Sequence, residues 1–560
     1  MHILKMIPQS TLPKCSKAIL TGALLLPVIV FAQGGKPVKK GQIESEEIVI
    51  EKSRAITLSE AERNFEKVTI TAKKPDASTQ PFQFTDRNLR LADLNTKFRI
   101  LQMPQEPARD ITGNYLKFGI GNYSNLYAEA FLGAKQNQTF SWNLRAKNQT
   151  FGTGPVYKGN SGTQENFLGG NIKLFTSALT ASAALEYNRD RYYFYGTQDE
   201  RDRKDIKQVF STIALKTSFT NNNVESPLDY KLNFNVSNIS DSYDAGEFEA
   251  AINLAAKYKI TEELSFLAPT DMYFTRLKDS ASVSRNLFRI KPQIQYKGET
   301  FSITAGLNVV TQNDTTDALS KVNLYPVAEA QVTIGDAFTV FGGISGDMQR
   351  NYFRQLANEN PYLNSRVKIF NTSKSSEIYG GIKRQLGGAL SFDVRTSYAR
   401  YKNMYFYMNN STDTSRFDLV YNPDGTTVLN LSAEVAYDAG KRFRIAGKAD
   451  FFKYNVKNVE QAWHRPTFTA TVIGRFAATE NVFLNTEIYY LGGIQAKNPV
   501  TARAVQLDPI ADINLKGEYI FLEKFSAYLS LNNLLSTHYQ RFLNYSNRGF
   551  TLVLGATYSF

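Results

Sequence analysis

The segment Gly549-Phe550-Thr551-Leu552-Val553-Leu554-Gly555-Ala556-Thr557-Tyr558-Ser559-Phe560 alternates with a period of two. Phe550, Leu552, Leu554, Ala556, Tyr558 and Phe560 share one side of a strand, while Thr551, Gly555, Thr557 and Ser559 share the other with only Val553 apolar. Such a strand needs an apolar medium on one face and polar surroundings on the other. Comparable segments recur about every 20 residues, about 22 of them between Asn114 and Phe560. Phe301, Ile303, Ala305, Leu307 and Val309 stand against Ser302, Thr304, Gly306 and Asn308, and Phe443 to Phe451 repeats the pattern. After the first forty residues no apolar run reaches the roughly 18 residues of a spanning helix. Strands of about 9 to 11 alternating residues cross a membrane without one.

The links between segments take turns in length. Tight ones are expected at 135–137, 176–177, 297–299, 335–336, 386–388, 438–441, 479–481 and 522–524, and long polar ones near 149–163, 189–205, 347–366, 409–415, 456–465, 494–507 and 535–547. A barrel inserted from the periplasm has tight turns inside and long loops outside, and an even strand count returns both termini to the periplasmic side. A soluble sandwich has no reason for that asymmetry, since both its ends meet the same solvent. The fold expected is all-β: a transmembrane antiparallel β-barrel of about 22 strands with a short, irregular N-terminal periplasmic arm.

The first residues supply an address. Lys5, Lys14 and Lys17 precede the apolar stretch Ala18 to Phe31, which ends at Ala32 with small-residue spacing, so residues 1–32 are expected to be a secretory signal peptide. Cys15, the single cysteine, would leave with it, and the localisation expected is integral to the cell outer membrane. Residues 33–112 are read as a periplasmic or lumenal arm, with Ser59 and Glu62 forming a capping box for a short helix, and residues 113–560 as the barrel. Removing the signal lowers the net charge from +13 to +10. The charges are scattered singly and no recognition helix, zinc spacing or stacking motif accompanies them, so a nucleic-acid partner is not expected.

The inward faces of the clearest strands carry Asp393, Arg395, Arg444, Lys448, Asp450, Arg475, Glu487, Asp512, Lys516 and Glu518, five of each sign. Unpaired charge in a dry interior is costly, so this balance predicts a wet or hydrogen-bonded lumen and argues against a simple anion-selective pore. Two aromatic and basic clusters in the outer links are candidates for recognising a sugar, a peptide or a partner: Arg191, Tyr192, Tyr193 and Tyr195, and Arg350, Tyr352 and Arg354. Packing of the loops on themselves accounts for the same residues equally well. His464 and His538 lack companions at metal-ligand spacing and are read as polar residues near loop ends. No nucleophile elbow, P-loop or dinucleotide fingerprint is present, so neither an enzyme, a cofactor nor a metal is expected.

Asp512-Ile513-Asn514-Leu515-Lys516-Gly517-Glu518-Tyr519, Leu529-Ser530-Leu531-Asn532-Asn533-Leu534-Leu535 with His538-Tyr539, and the closing strand resemble the last three strands of TonB-dependent receptors, in style those of Bacteroidetes. The resemblance implies a 22-stranded barrel that takes up substrate across the outer membrane, and Glu47-Ile48-Val49-Ile50 resembles the box gripped by a periplasmic energy-coupling protein. The chain departs from the family before Gly113, where the arm is short for a plug domain and lacks its glycine-rich turns. A receptor-like uptake barrel with a reduced or absent plug is therefore the leading reading. The alternatives are a non-transporting structural subunit of a larger outer-membrane assembly and a passive porin-like channel. The partners implied are outer-membrane lipid, a coupling protein or complex subunits at residues 33–112, and a surface lipoprotein over the loops.

Overall fold

A computed structural model describes residues 113–560 apart from 135–138, 198–199, 224, 280, 315, 336–337, 386–388 and 441. The signal, the arm, its capping box and the box-like Glu47 to Ile50 lie outside the described residues, as do several of the expected tight turns.

Alternation produces the strands, and backbone pairing closes them. From Tyr115–Gly121 to Thr551–Ser559 each barrel strand pairs antiparallel with the next, and the last pairs with the first, Gly555 opposite Gly119. The result is a closed 22-strand antiparallel barrel. Closure leaves no edge, which is what a strand-built membrane protein requires. Two strands are broken where proline removes a ladder donor: Leu264–Leu267 continues as Thr270–Lys278 past Pro269, and Leu287–Ile290 continues as Gln293–Lys297 past Pro292. The ladder is partly repaired there, since Lys291 N donates to the Pro269 carbonyl at 2.9 Å.

The face assignments follow the alternation. Leu554, Ile303, Leu307 and Phe451 are exposed on the outer wall, while Val553, Ser302, Asn308 and Asp450 are buried on the inner one. The rims also differ as expected. The links 176–178, 298–300, 478–481 and 523–524 are tight and share a rim with the start of the first barrel strand and the end of the last, where Phe560 N donates to the Asn114 carbonyl at 3.0 Å. The links 152–162, 194–206, 350–371, 403–425, 456–467, 493–509 and 533–550 crowd the other rim.

Asn533, in the stretch that carries the family resemblance, is a tie between the last strands. It adopts a left-handed backbone (φ 50°), its N–H donates to Asp512 and to Asn514 at 3.1 Å each, and its amide donates to the carbonyls of Thr537 and Arg548 at 2.8 and 2.9 Å. Asparagine tolerates that backbone and supplies those bonds at once.

Candidate functional site

A ring of 22 strands spaced about 4.8 Å and tilted about 40° is roughly 40 Å across. Hairpin Met404–Asn409 with Phe417–Asn422 rises from one side of the rim, and six strand residues at about 3.3 Å each reach roughly 20 Å, half that width. Its tip meets links from elsewhere on the rim. Arg201, ten strands away around the ring, pairs with Asp413 at 3.1 Å, and the Tyr545 hydroxyl donates to the Ser415 carbonyl. Tyr195 in turn donates to the Ser546 carbonyl at 2.9 Å. These links roof the outer mouth.

The roof has its own core. Tyr193, Phe194, Tyr195, Phe353, Leu356, Tyr407, Phe417, Phe542 and Tyr545 are buried together, with Tyr362 and Tyr545 stacked at 3.4 Å. Helix α1, Phe353–Glu359, turns Phe353, Leu356 and Ala357 into it. At its end lies a buried charge network: Arg465 Nη1 sits 3.3 Å from Glu359, the Tyr405 hydroxyl donates to Glu359 at 2.7 Å, and Arg465 Nη2 donates to the Tyr405 carbonyl at 3.2 Å. Burial works against the Arg465 charge, but Glu359 together with Tyr405 and Tyr454 outweighs it and raises its pKa. Arg541 is pushed down to about 10, chiefly by burial and then by Arg465.

His464 lies against Phe417 and Phe542, 1% exposed, with neither ring nitrogen hydrogen-bonded. Burial, reinforced by Arg541, holds its pKa down to about 3 from 6.5. A depressed folded value means that its contribution is intact above about pH 6.5 and is lost as pH falls toward 3, at up to about 1.4 kcal/mol per pH unit. Protection against amide exchange in 403–425 and 456–467, taken relative to the intrinsic rate at each pH, is expected to fall between pH 7 and 4.5. His464→Leu is expected to flatten that dependence, and an unchanged profile would count against His464 as its source.

Cavities lie beneath the roof. One of about 640 Å³ is lined by Asp190, Tyr192, Arg354, Tyr489, Tyr539 and Arg541, and one of about 430 Å³ by Glu249, Arg350, Tyr352, Arg354, Glu359 and Arg465. A third, of about 450 Å³, takes in Lys117, Glu129, Arg145, Glu487 and Lys516 on the barrel wall.

The candidate residues separate accordingly. Arg191, Tyr192 and Tyr193 belong to strand Leu179–Tyr193 and not to a link, because the alternation runs on through a run of aromatics that the roof buries regardless of face. Tyr195 is in the roof core. Arg350 bonds Glu249 and lies 4.2 Å from the rings of both Tyr273 and Tyr352, with Arg354 5.8 Å from Tyr352. On the wall, Arg395 pairs with Glu377 at 3.1 Å, Arg444 with Asp438 at 2.9 Å, Lys448 with Asp450 at 3.8 Å and Lys516 with Glu518 at 3.6 Å. Asp512 accepts the hydroxyls of Tyr489 and Tyr539 at 2.6 and 2.9 Å, Arg475 faces Phe483, Glu487 lines the wall cavity, and Asp393 sits opposite Lys383 and Glu434. His538 is exposed, whereas His464, near the end of the link 456–467 as expected, is buried against the roof core. Glu359, Tyr405 and Arg465 were missed. The spacing of Phe353, Leu356 and Ala357 was the available signal for α1.

No family model and no curated protein matches this sequence. Solved structures match it in shape. The FrpB iron transporter from Neisseria meningitidis aligns with a TM-score of 0.62 at 10% identity, over 81% of this chain and 82% of that one. The ferric enterobactin receptor PfeA from Pseudomonas aeruginosa aligns at 0.57 and 12%, over 80% of each, and the siderophore receptor PirA from Pseudomonas aeruginosa at 0.55 and 13%, over 81% of each. This chain shares their fold. At such identity the likeness extends to the barrel and not to a ligand.

Proposed function

We propose that this chain is an outer-membrane, TonB-dependent receptor-like barrel that takes up a substrate admitted beneath its roof, with a reduced or absent plug. The observation that carries the reading is the closed 22-strand barrel with the fold of solved iron and siderophore receptors. The roof argues against a passive porin-like channel, since links from opposite sides of the ring bond across the mouth. A periplasmic coupling protein at residues 33–112 and a surface lipoprotein over the loops are the partners this reading implies. Ferric chelates are the first ligands to test, because the solved proteins of like fold are named for them.

Planar-bilayer conductance separates the parts of this proposal. The intact protein is expected to conduct weakly, and a protein lacking residues 33–110 and carrying Glu359→Ala, which loosens the roof, is expected to conduct several-fold more. If that doubly opened form makes no pore, uptake through the lumen is excluded. A stoichiometric companion after gentle extraction would then favour the structural subunit.

A further inference from the structure

Several charges on the inner wall pair with charges of opposite sign, but one group on the outer wall does not. Arg400 and Lys402 end strand Leu390–Lys402, Lys453 lies near the end of strand Phe443–Asn455, and Lys457 follows it. Their neighbours in sequence, Ala399, Tyr401, Phe452, Tyr454 and Val456, pack inward around Met404, Phe406 and Trp463. Alternation therefore turns Arg400, Lys402 and Lys453 outward, Lys457 lies two residues past the strand end, and all four are exposed. Among the described residues none of them enters an ion pair.

Their height on the wall is fixed by register. Tyr398, Leu429 and Lys453 stand side by side on three adjacent strands, and Arg400, Thr427 and Asn455 form the next row toward the outer rim. Tyr398, level with Lys453, and Leu431 and Phe451 in the row below are 47, 50 and 46% exposed, the surface a bilayer covers, with the tyrosine at its upper border where aromatic residues mark the interface. The cations thus stand at headgroup height, about 10 Å apart across two strand spacings, with Arg400 and Lys402 about 7 Å apart and Lys453 and Lys457 about 13 Å apart along the chain. Arg400 and Lys402 can converge on one group, and Lys453 and Lys457 can flank a second. Thr427 and Asn455 add uncharged donors between them. Of the nearby acids, Glu460 pairs with Lys497 at 2.6 Å, and Asp424 is held by the Asn458 amide at 2.6 Å, which leaves at most one carboxylate against four cations.

We infer that Arg400, Lys402, Lys453 and Lys457 form a site for the phosphate of an outer-leaflet lipid, held against the barrel wall above Tyr398. A multiply phosphorylated glycolipid suits it better than a single phosphate, since four cations spread over about 16 Å exceed what one phosphate meets. The rigid inner packing of these strands holds the site in place before the lipid arrives. The inference rests on the barrel crossing the outer membrane and is independent of any transported substrate.

The test is native mass spectrometry of the full chain in maltoside micelles with added bisphosphorylated lipid A. The comparison protein is Arg400→Ala/Lys402→Ala/Lys453→Ala/Lys457→Ala, whose closure is checked separately by heat-modifiable gel mobility. The native protein is expected to retain about one lipid, the variant to bind at least tenfold more weakly, and lipid A stripped of its phosphates to behave like the variant. Equal retention by both proteins would overturn the inference. So would displacement by inorganic phosphate at equimolar concentration, which would make the site one for the free ion. Failure of the uptake reading would leave these results untouched.

Discussion

Gly555→Val is expected to prevent the barrel from closing. Gly555 and Gly119 face each other across the seam between the last and first strands, and the Tyr528 ring lies over both, its hydroxyl donating to the Phe118 carbonyl at 3.3 Å. A Cβ on Gly555 would overlap both the Tyr528 ring and the Phe118 carbonyl oxygen, and one on Gly119 would overlap the Tyr528 hydroxyl. Strand propensity favours valine over glycine by up to about 1 kcal/mol, so the two effects oppose each other. Overpacking against a movable side chain costs about 1 to 3 kcal/mol, and the clash with backbone has no rotamer that relieves it. Sterics should win by more than about 2 kcal/mol, concentrated at the single pairing on which closure depends. The fraction of compact, heat-modifiable protein is expected to fall sharply. Gly517→Val is the control, since its Cβ would meet nothing closer than a Leu484 methyl at 3.6 Å. Adding Tyr528→Ala should rescue Gly555→Val only partly, because the Phe118 oxygen remains. Full rescue would place the whole constraint in the ring.

The strands were legible because each carries its instruction locally. Alternating residues such as Phe301 to Val309 state which face meets lipid, and turn residues such as Lys297-Gly298-Glu299 state where the chain reverses. Tight and long links then distinguish the rims without any tertiary information. The roof obeys no such rule. Arg201 meets Asp413 212 positions later, and Arg465 meets Glu359 across 106. Each segment there reads as an irregular polar link, and its apolar residues find partners only once the barrel has set the bases of the links around one ring. That is why Tyr193 and Tyr195 looked equally suited to a recognition surface and to packing. The wall charges fall between these cases: their face could be read from alternation, but the partner of each, such as Glu377 for Arg395, depends on register.

The roof can be loosened at one point without touching the wall. Glu359→Ala leaves the Arg465 guanidinium buried beside Arg541 with its carboxylate partner gone and the Tyr405 hydroxyl without its acceptor. Removing one member of a buried pair costs about 3 to 5 kcal/mol, because the remaining charge stays desolvated. The strands are held by a continuous ladder, so the loss should appear in the roof alone. Proteolysis within 350–371 and 403–425 is expected to quicken by two orders of magnitude or more, with heat-modifiable mobility unchanged. Glu359→Leu/Arg465→Met, which removes both charges at similar volume, should recover most of the protection, since a well-packed apolar pair often replaces a buried ion pair at little cost. If the double substitution is as open as the single one, the network orders the roof by its hydrogen bonds and not by pairing charge. If neither opens it, the aromatic core from Phe194 to Tyr545 holds the mouth closed unaided, and substrate entry must proceed by separating those rings.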